Sequence, residues 1–530
     1  MQHFDVIIIG SGPTGSAYAR TILDSAPTTR VLMVESGPIV TNPPGYHFSN
    51  ITDDLERTSA QLGSQGPNRG KAYPPMSEDE RAARLRGEPD VTMLRRPGLF
   101  VVDSEFQGKT FPAGHAASNV GGMGAQWFGA CPAPSADERI GIIAPAELDR
   151  LLDKSRRLLR VSNTQFPDSP IAKPLESILN GLFSAGRSDD RKAQPMPMAL
   201  VREGARIQRT GTDVILGTLG TAAPENFELR PETTCLQILM ENGRATGVEL
   251  VGEDRKPYRV TGDYVVAAAD SLHTPQLLFA SGIRPASLGH YLNEHPQVSA
   301  LAIFDRLGHV GAGASTPDRA GGILADRSVT SLMTSGVTWL PYNGEQFPFH
   351  VQITQADPES LSPEDRAEAG DKPVLSISFF LASDIIFNNA IHFSESAKDW
   401  LGRPKMTIQY DFTARDLERI ELAKMTWQQI AQAVGRPLPG HAPRMPPNGS
   451  SLHYQGTMRM GAANDGGSVC DTHCRVWDTD NLYIAGNGLI PTETAGNPTM
   501  ISVALAIRGA ESIVDQIAAA HTAQSRAAAR

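Results

Sequence analysis

The first 35 residues constrain the fold more than any other part of the chain. Apart from Asp5, residues 4–9 are apolar and largely β-branched, as in a buried parallel strand, and residues 31–34 repeat that pattern. Between them, Gly10, Gly12 and Gly15 form the motif Gly-x-Gly-x-x-Gly ahead of a stretch of small, helix-compatible residues. A strand–helix–strand unit of this length fits a right-handed crossover, so the sequence predicts an α/β, Rossmann-like lobe.

This glycine motif is of the type that binds the diphosphate of a dinucleotide. Gly10 permits a tight turn, Gly12 lets a diphosphate approach the backbone, and Gly15 lets the helix pack closely on the strand. The N–H groups and the positive dipole end of the helix would face the phosphates. Glu35 stands 20 residues after Gly15, where it can accept hydrogen bonds from an adenosine ribose. The motif alone does not distinguish FAD from NAD.

Bulk composition excludes several classes of protein. A chain of 530 residues exceeds what one core supports, so at least two lobes are expected. Its net charge of −10 opposes binding to nucleic acid or to an anionic membrane. No apolar run is long enough to span a bilayer. Four cysteines are too few for a disulfide framework, and no secretory signal precedes the first strand, so a cytoplasmic location is predicted.

Three later segments carry a family resemblance. Residues 119–127 read Asn-Val-Gly-Gly-Met-Gly-Ala-Gln-Trp, residues 451–457 read Ser-Leu-His-Tyr-Gln-Gly-Thr, and residues 486–499 contain Gly-Asn-Gly and Gly-Asn-Pro-Thr. With the first glycine motif, they resemble the flavin-binding and catalytic segments of the glucose-methanol-choline oxidoreductases. They are most similar to those of pyranose oxidases and bacterial glycoside 3-oxidases. The resemblance implies FAD, in an α/β fold whose Rossmann-like FAD-binding lobe adjoins a substrate lobe with an antiparallel sheet.

Site residues follow from this resemblance. It places the catalytic base at His453 and its hydrogen-bonding partner at Asn497. Neutral imidazole suits removal of a hydroxyl proton near pH 7. The residues predicted to bind FAD are Gly10, Gly12, Pro13, Thr14, Gly15, Glu35, Ser36, Asn119, Gly121, Gly122, Met123, Gln126, Trp127, Cys235, Ala269, Gly486, Asn487, Asn497, Pro498 and Thr499.

Two physical expectations accompany these assignments. A helix starting at Pro498 or Thr499, capped by Asn497, would run to about residue 517 and direct its positive end at the flavin. Gly121 and Gly122, with Gly124, would leave room for backbone to lie against the edge of the isoalloxazine ring.

The sequence departs from the family pattern at two places. Many fungal pyranose oxidases carry a histidine that bonds covalently to the flavin, whereas this chain has Gln126 there. An amide cannot form that bond, so FAD is expected to be noncovalent. After Ala269 the chain has Asp270 where the wider family often has glycine, which leaves the details of the nearby phosphate loop open.

The predicted domains are discontinuous, because strand patterns return to the first lobe late in the chain. Residues 1–150, 205–300 and 450–530 are assigned to the FAD-binding domain, and residues 151–204 and 301–449 to the substrate-binding domain. Alternating patterns in residues 349–353 and 375–380 predict the antiparallel sheet. Residues 37–100, rich in proline, glycine and charge, are expected to wrap the surface or to contact another subunit of a homo-oligomer.

Two other clusters receive structural interpretations. No metal site is predicted at Cys470, His473 and Cys474, since no second ligand pair follows at zinc-like spacing. The segment around Glu294 and His295 resembles an acid–base pair, but a structural role is favoured.

The predicted activity is oxidation of a secondary hydroxyl of a pyranose sugar or glycoside to a ketone. Oxidation at C3 is preferred and C2 is possible. The hydride would pass to flavin N5, and oxygen or a quinone-like compound would be the electron acceptor. Three alternatives stay open: a non-sugar alcohol as substrate, a flavin-retaining lyase of the same fold, and a non-catalytic flavin-binding protein.

Overall fold

The computed structural model describes residues 2–64, 99–102, 110–167, 169–203, 206–222, 224–306, 336–399 and 402–528. Its strands are β1 (His3–Ile9), β2 (Val31–Val34), β3 (Phe100–Val101), β4 (His115–Ala116), β5 (Val161–Ser162), β6 (Gln194–Pro195), β7 (Met198–Glu203), β8 (Arg206–Arg209), β9 (Phe227–Arg230), β10 (Thr234–Glu241), β11 (Arg244–Val251), β12 (Pro257–Ala267), β13 (Gln297–Phe304), β14 (Thr338–Leu340), β15 (Phe349–Gln355), β16 (Val374–Leu381), β17 (Ala390–Lys398), β18 (Pro404–Gln409), β19 (Gly435–Pro437) and β20 (Leu482–Ile484). Its helices are α1 (Pro13–Ser25), α2 (Asp54–Gly63), α3 (Pro145–Leu158), α4 (Ala172–Phe183), α5 (Thr212–Leu216), α6 (Thr218–Ala222), α7 (Asp270–Ala280), α8 (Pro363–Ala369), α9 (Ala414–Val434) and α10 (Thr499–Ala528).

A mostly parallel sheet forms the first lobe. Strand β1 lies between β2 and β12, β9 extends the sheet beyond β2, and β20 pairs with the end of β12. The hairpin of β10 and β11 joins β12 in antiparallel orientation. Val6, Ile7 and Ile8 are fully buried, as expected for a strand covered on both faces. The predicted Rossmann-like lobe is confirmed.

Helices α1 and α10 cover this sheet and pack on each other, and α3 packs on α10. Gly509 in α10 makes the contact with α1 possible, because a Cβ there would lie 1.8 Å from the hydroxyl of the fully buried Tyr18. Helix α10 starts at Thr499, as predicted, but it continues to Ala528, well past the predicted end near residue 517.

An antiparallel sheet forms the second lobe, in the order β19-β13-β16-β15-β14-β6. Alternation along β15 sends Phe349, Val351 and Ile353 into an apolar core beneath α9, where Trp427 is fully buried. The predicted antiparallel sheet is confirmed.

The regions near the predicted domain boundaries are partly described. Helix α3 crosses the boundary at residue 151, and within residues 37–100 the structure describes α2 while residues 65–98 lie outside it. The domain limits therefore stay predictions. Among the described residues, no helix combines the length and apolar character needed to cross a membrane.

Replacing Gly509 by alanine tests the contact between α1 and α10. The added methyl must displace Tyr18 from a closed position, so we expect the free energy of unfolding to fall by about 1–3 kcal/mol. Gly181→Ala in α4 is the control, because nothing lies within 4 Å of its added Cβ, and it should stabilise by about 0.5–1 kcal/mol. Urea unfolding of both variants gives the measurement, and equal effects would contradict the assignment.

Candidate active site

A cavity of about 770 Å³ is lined by residues of both lobes. The predicted site residues in its wall are Gly10, Gly12, Pro13, Thr14, Glu35, Ser36, Gly122, Met123, Gln126, Trp127, Cys235, Ala269, His453, Gly486, Asn487, Asn497 and Thr499. Four predicted residues are not part of the wall: Gly15, Asn119, Gly121 and Pro498. The structure therefore brings most of the predicted set together around one space.

The glycine loop closes one end of this cavity. Gly10 has φ +105°, and a Cβ there would lie 2.4 Å from the carbonyl oxygen of Ala268. A Cβ on Gly15 would lie 2.1 Å from the carbonyl oxygen of Gly10, so Gly15 permits close packing behind the cavity. At Gly12, by contrast, a Cβ would meet nothing within 4 Å. The open side of the loop thus faces the cavity, where a diphosphate would approach.

Glu35 orders this loop from the end of β2. One carboxylate oxygen accepts hydrogen bonds from Ser11 N at 3.1 Å and Ser11 Oγ at 2.8 Å, and the other accepts from Gly37 N at 3.0 Å. Burial raises the pKa of Glu35, while these three hydrogen bonds oppose the rise. Glu35 therefore holds the loop in shape as well as lining the cavity.

The glycines of residues 119–126 pack against protein atoms. A Cβ on Gly121 would lie 2.7 Å from Gly45 Cα, and one on Gly124 would lie 2.4 Å from Thr212 Oγ1. Close packing within the protein is thus sufficient to require glycine at both positions, without reference to the edge of a flavin ring. Gly121 N also donates to Ser11 Oγ at 3.0 Å, which ties this segment to the first glycine loop.

Arg403, just before β18, lines the same cavity, and the sequence analysis did not identify it. It is 4% exposed, its Nε has no hydrogen-bond partner, and its guanidinium forms no hydrogen bond or ion pair with the described residues. Burial lowers the pKa of Arg403, while the negative charges of Asp399, Asp270 and Glu35 act in the opposite direction. An arginine remains cationic in proteins, so this unpaired buried charge destabilises the structure unless an anion or an aromatic ring meets it.

These features fit FAD. The glycine loop leaves open space at the N-terminus of α1, where no side chain caps the helix and no acidic residue occupies its first turn. Arg403 adds a buried cation that has no hydrogen-bond or ion-pair partner for its guanidinium among the described residues. A diphosphate and an adenine ring together supply the negative charge and the π-face that such groups bind.

His453 lines the same cavity. Its Nδ1 is 3.0 Å from His295 Nδ1, and its Nε2 is 3.1 Å from Asn497 Nδ2. The ring stacks on Phe380, with centroids 5.5 Å apart. Leu452, immediately before it, has φ +59°, an uncommon conformation for leucine that turns the chain just ahead of His453.

Asn497 connects His453 to the substrate lobe. Its Oδ1 accepts a hydrogen bond of 2.7 Å from Gln352 Nε2, while its Nδ2 faces His453. The prediction that the Asn497 side chain caps α10 is wrong, because this side chain contacts Gln352 and His453 and accepts no hydrogen bond from a main-chain N–H at the start of α10. The main chain begins the helix instead, with Ser502 N donating to Pro498 O.

The segment favoured for a structural role lies directly against His453. Main-chain hydrogen bonds join Asn293 and Gln455 in both directions, at 2.9 and 2.7 Å, and this pairing brings His295 beside His453. Glu294 accepts from Gly449 N at 2.6 Å and Ser451 Oγ at 2.9 Å. A purely structural interpretation missed these contacts, because only the fold brings together residues more than 150 positions apart.

Glu138 fixes the loop that carries Asn497. Its Oε1 accepts from Ala495 N at 2.8 Å and from Gly496 N at 3.0 Å, and its Oε2 accepts from Ser135 N at 2.8 Å. Both oxygens of a carboxylate buried to 3% exposure are therefore engaged by main-chain N–H groups.

The roof of the cavity is the other face of the antiparallel sheet. Side chains on this face alternate with the core residues, and those in the cavity wall are Gln297, Gln352, Thr354, Ser378 and Phe380. The alternation in residues 349–353 predicted a second face, but the sequence did not show that this polar face is turned to a binding cavity rather than to solvent.

The cysteine-rich segment lies apart from the cavity. Cys470 and Cys474 are buried, and Cys474 Sγ lies 3.4 Å from the carbonyl oxygen of Leu505 in α10. Burial raises the pKa of Cys474 to about 12. Both thiols are therefore packed as small apolar side chains.

Comparisons with known proteins agree with this arrangement. Two family models described as GMC oxidoreductase match residues 135–297 and 388–506. The C-glycoside 3-oxidase of Arthrobacter globiformis is 40% identical over 97% of this chain and 96% of its own, and that of Microbacterium trichothecenolyticum is 39% identical over 97% of each. The pyranose 2-oxidase of Tricholoma matsutake is 28% identical over 98% of this chain and 94% of its own.

Solved structures show the same fold at low identity. A pyridoxine 4-oxidase from Mesorbium loti has a TM-score of 0.59 and 17% identity, with 96% of this chain and 99% of that chain covered. A formate oxidase of Aspergillus oryzae RIB40 has a TM-score of 0.63 and 15% identity, with 97% and 98% covered.

Replacing Arg403 by methionine should have opposite effects on the apoprotein and on FAD binding. The apoprotein should unfold at a higher urea concentration, because an unpaired buried charge is removed. The dissociation constant for FAD should rise about 10- to 100-fold, as expected from the loss of a contact worth about 1.5–3 kcal/mol.

The control is Arg436→Met, which removes the same charge from an exposed pair with Glu368. It should leave FAD affinity unchanged. Titration of both apoproteins with FAD, followed by fluorescence, gives the measurement; undiminished affinity in Arg403→Met would exclude a contact with the cofactor.

Proposed function

The chain belongs to the GMC oxidoreductase family, and on that premise we propose that it oxidises a secondary hydroxyl of a pyranose sugar or glycoside to a ketone, preferably at C3. FAD is its cofactor and supplies the hydride acceptor when bound. The observation that carries the proposal is the contact of His453 and Asn497 beneath a polar sheet face, in the same cavity as the glycine loop.

His453 acts as the base in this proposal. Its Nε2 lies in the cavity wall next to Asn497, where it can take the proton of a substrate hydroxyl. Removing that proton lets the carbinol carbon release hydride, and a positioned histidine typically contributes about 10²- to 10⁴-fold to such a step.

Asn497 orients the same hydroxyl without titrating. Gln352 holds its Oδ1, so the amide cannot rotate freely and its Nδ2 stays directed at His453. A substrate hydroxyl that takes the place of Asn497 Nδ2 at His453 Nε2 can give its proton to His453 and accept a hydrogen bond from Asn497, so base and orienting group act on one atom of the substrate.

The cavity roof supports a neutral, polyhydroxylated substrate. Two glutamines, a threonine, a serine and a phenylalanine line the cavity from this face: Gln297, Gln352, Thr354, Ser378 and Phe380. Amides and hydroxyls match sugar hydroxyls, and none of these side chains carries a charge that would select a cationic alcohol such as choline.

The finer assignments rest on similarity and on composition. Preference for C3 follows from relatives named C-glycoside 3-oxidase at about 40% identity, against 28% for a pyranose 2-oxidase. Oxygen or a quinone-like compound is proposed as the electron acceptor. Four buried, unpaired cysteines support the proposed cytoplasmic location. Assembly into a homo-oligomer stays a prediction.

Replacing His453 by alanine should slow anaerobic flavin reduction by saturating substrate about 100-fold or more, with FAD still bound. Asn497→Ala should cost less, because the base remains. Residues acting as a unit are not additive, so the double variant should be little slower than His453→Ala alone. Rapid-mixing absorbance of the four forms, with a panel of sugars, glycosides and simple alcohols, gives the measurement.

A near-normal rate in His453→Ala would place the base elsewhere. Flavin that no sugar reduces, in a protein that retains FAD, would instead favour the lyase alternative. Reduction by simple alcohols alone would point to a non-sugar substrate.

The flavin should also leave the polypeptide intact on acid precipitation, since Gln126 cannot form a covalent bond to it. Yellow supernatant and a colourless pellet are expected; flavin fluorescence in the washed pellet would show a covalent link through another residue.

A further inference from the structure

The contact between His295 and His453 is a hydrogen bond between two ring nitrogens. Their Nδ1 atoms lie 3.0 Å apart. Such a bond holds one proton, so one ring donates and the other accepts. His295 is fully buried, and burial, with His453 and His350 nearby, holds the pKa of His295 well below its usual range. His295 is therefore a neutral ring in this bond.

The direction of the bond decides whether His453 can act as a base. If His453 donates from Nδ1, its Nε2 carries a lone pair that faces the cavity. If His295 donates instead, the proton of neutral His453 must lie on Nε2, which then has no lone pair for a substrate proton.

Asn497 favours the first arrangement. Gln352 Nε2 donates to Asn497 Oδ1, so Asn497 Nδ2 is the end that meets His453 Nε2. An amide nitrogen can only donate, and it needs a lone pair on His453 Nε2 to receive it. The Nδ1 proton of His453 is then directed to His295.

The far side of His295 completes the chain. Its Nε2 must then carry a proton, and Thr494 Oγ1 lies 3.1 Å away as an acceptor. As placed, the Gln455 amide nitrogen lies 2.9 Å from His295 Nε2 and would donate to it, which fits the opposite direction. The proposed direction needs a half-turn of this amide, which presents its oxygen to His295 and its nitrogen to Thr494 Oγ1, 3.1 Å from the present Oε1 position.

We propose that His295 is a positioning residue: it accepts the Nδ1 proton of His453 and so keeps a lone pair on His453 Nε2, where a substrate hydroxyl takes the place of Asn497 Nδ2 as the donor. This role rests on the proposed function, because it acts through His453. In any neutral histidine, the hydrogen bond made by one ring nitrogen decides which nitrogen carries the proton, and His295 would make that choice for His453.

The test compares His295→Leu, which fills the space without an acceptor, with His295→Asn, which is smaller but keeps a polar acceptor. His295→Leu should slow flavin reduction at saturating substrate about 10- to 100-fold, the usual effect of losing a partner that orients a functional histidine. FAD content and the substrate concentration at half-maximal rate should change little. His295→Asn should recover most of the rate, although it packs less well than leucine.

A double-mutant cycle that combines His295→Leu with His453→Ala distinguishes a positioning role from a general disturbance of the active site. In that background, His295→Leu should cause no further slowing, because there is no base left to position. Equal rates for His295→Leu and wild type, equal losses for leucine and asparagine, or an additive loss in the double variant would each overturn the proposal. A normal rate in His453→Ala alone would instead overturn the proposed function.

Thr494 offers a second test if His295→Leu does not fold. Thr494→Val removes the acceptor for His295 Nε2–H with little change in shape, and Thr494→Ser keeps the hydroxyl. Valine should slow flavin reduction severalfold and serine should not; equal rates for the two variants would overturn the proposed chain.

Discussion

The site depends on the parallel alignment of β1, β2, β12 and β20. Because these strands run in one direction, their carboxyl ends meet at one edge of the sheet. Gly10 follows β1, Glu35 follows β2, Ala268 follows β12 and Gly486 follows β20. Segments from the two ends of a 530-residue chain therefore converge on one cavity without long loops.

The second lobe makes this edge into an enclosed site. Its antiparallel sheet buries one face beneath α9 and turns the polar face to the cavity. Gln352 belongs to this sheet, and its side chain donates a hydrogen bond to Asn497, which lies beside His453. The relative position of the two lobes therefore bears directly on the orientation of the amide beside His453.

Two buried carboxylates accept hydrogen bonds from the segments that carry Asn497 and His453. Glu138 binds the loop that carries Asn497, and Glu294 binds the segment that leads into His453. Glu138 accepts from main-chain N–H groups, whereas Glu294 accepts from the main-chain N–H of Gly449 and the hydroxyl of Ser451. Hydrogen bonds to an ionised carboxylate are short and strong. Such contacts hold the reacting groups in place before a substrate arrives, and this reduces the reorganisation that the reaction requires.

The sequence by itself determined the Rossmann-like lobe, the FAD cofactor, the antiparallel sheet and the family, because these depend on local patterns: strand periodicity, glycine spacing and short motifs. It also placed His453 and Asn497 in one site, through a resemblance to known motifs. Only the tertiary structure revealed Arg403 and Gln352, because each acquires its role from contacts across the fold. The sequence drew attention to the segment around His295, but only the structure placed that ring against His453. The glycines of residues 119–126 are a further example. They are required by close contact with Gly45 and Thr212, which no local sequence pattern identifies. Local periodicity fixes which residues share a face, whereas contacts between distant segments are decided by how the strands and lobes pack.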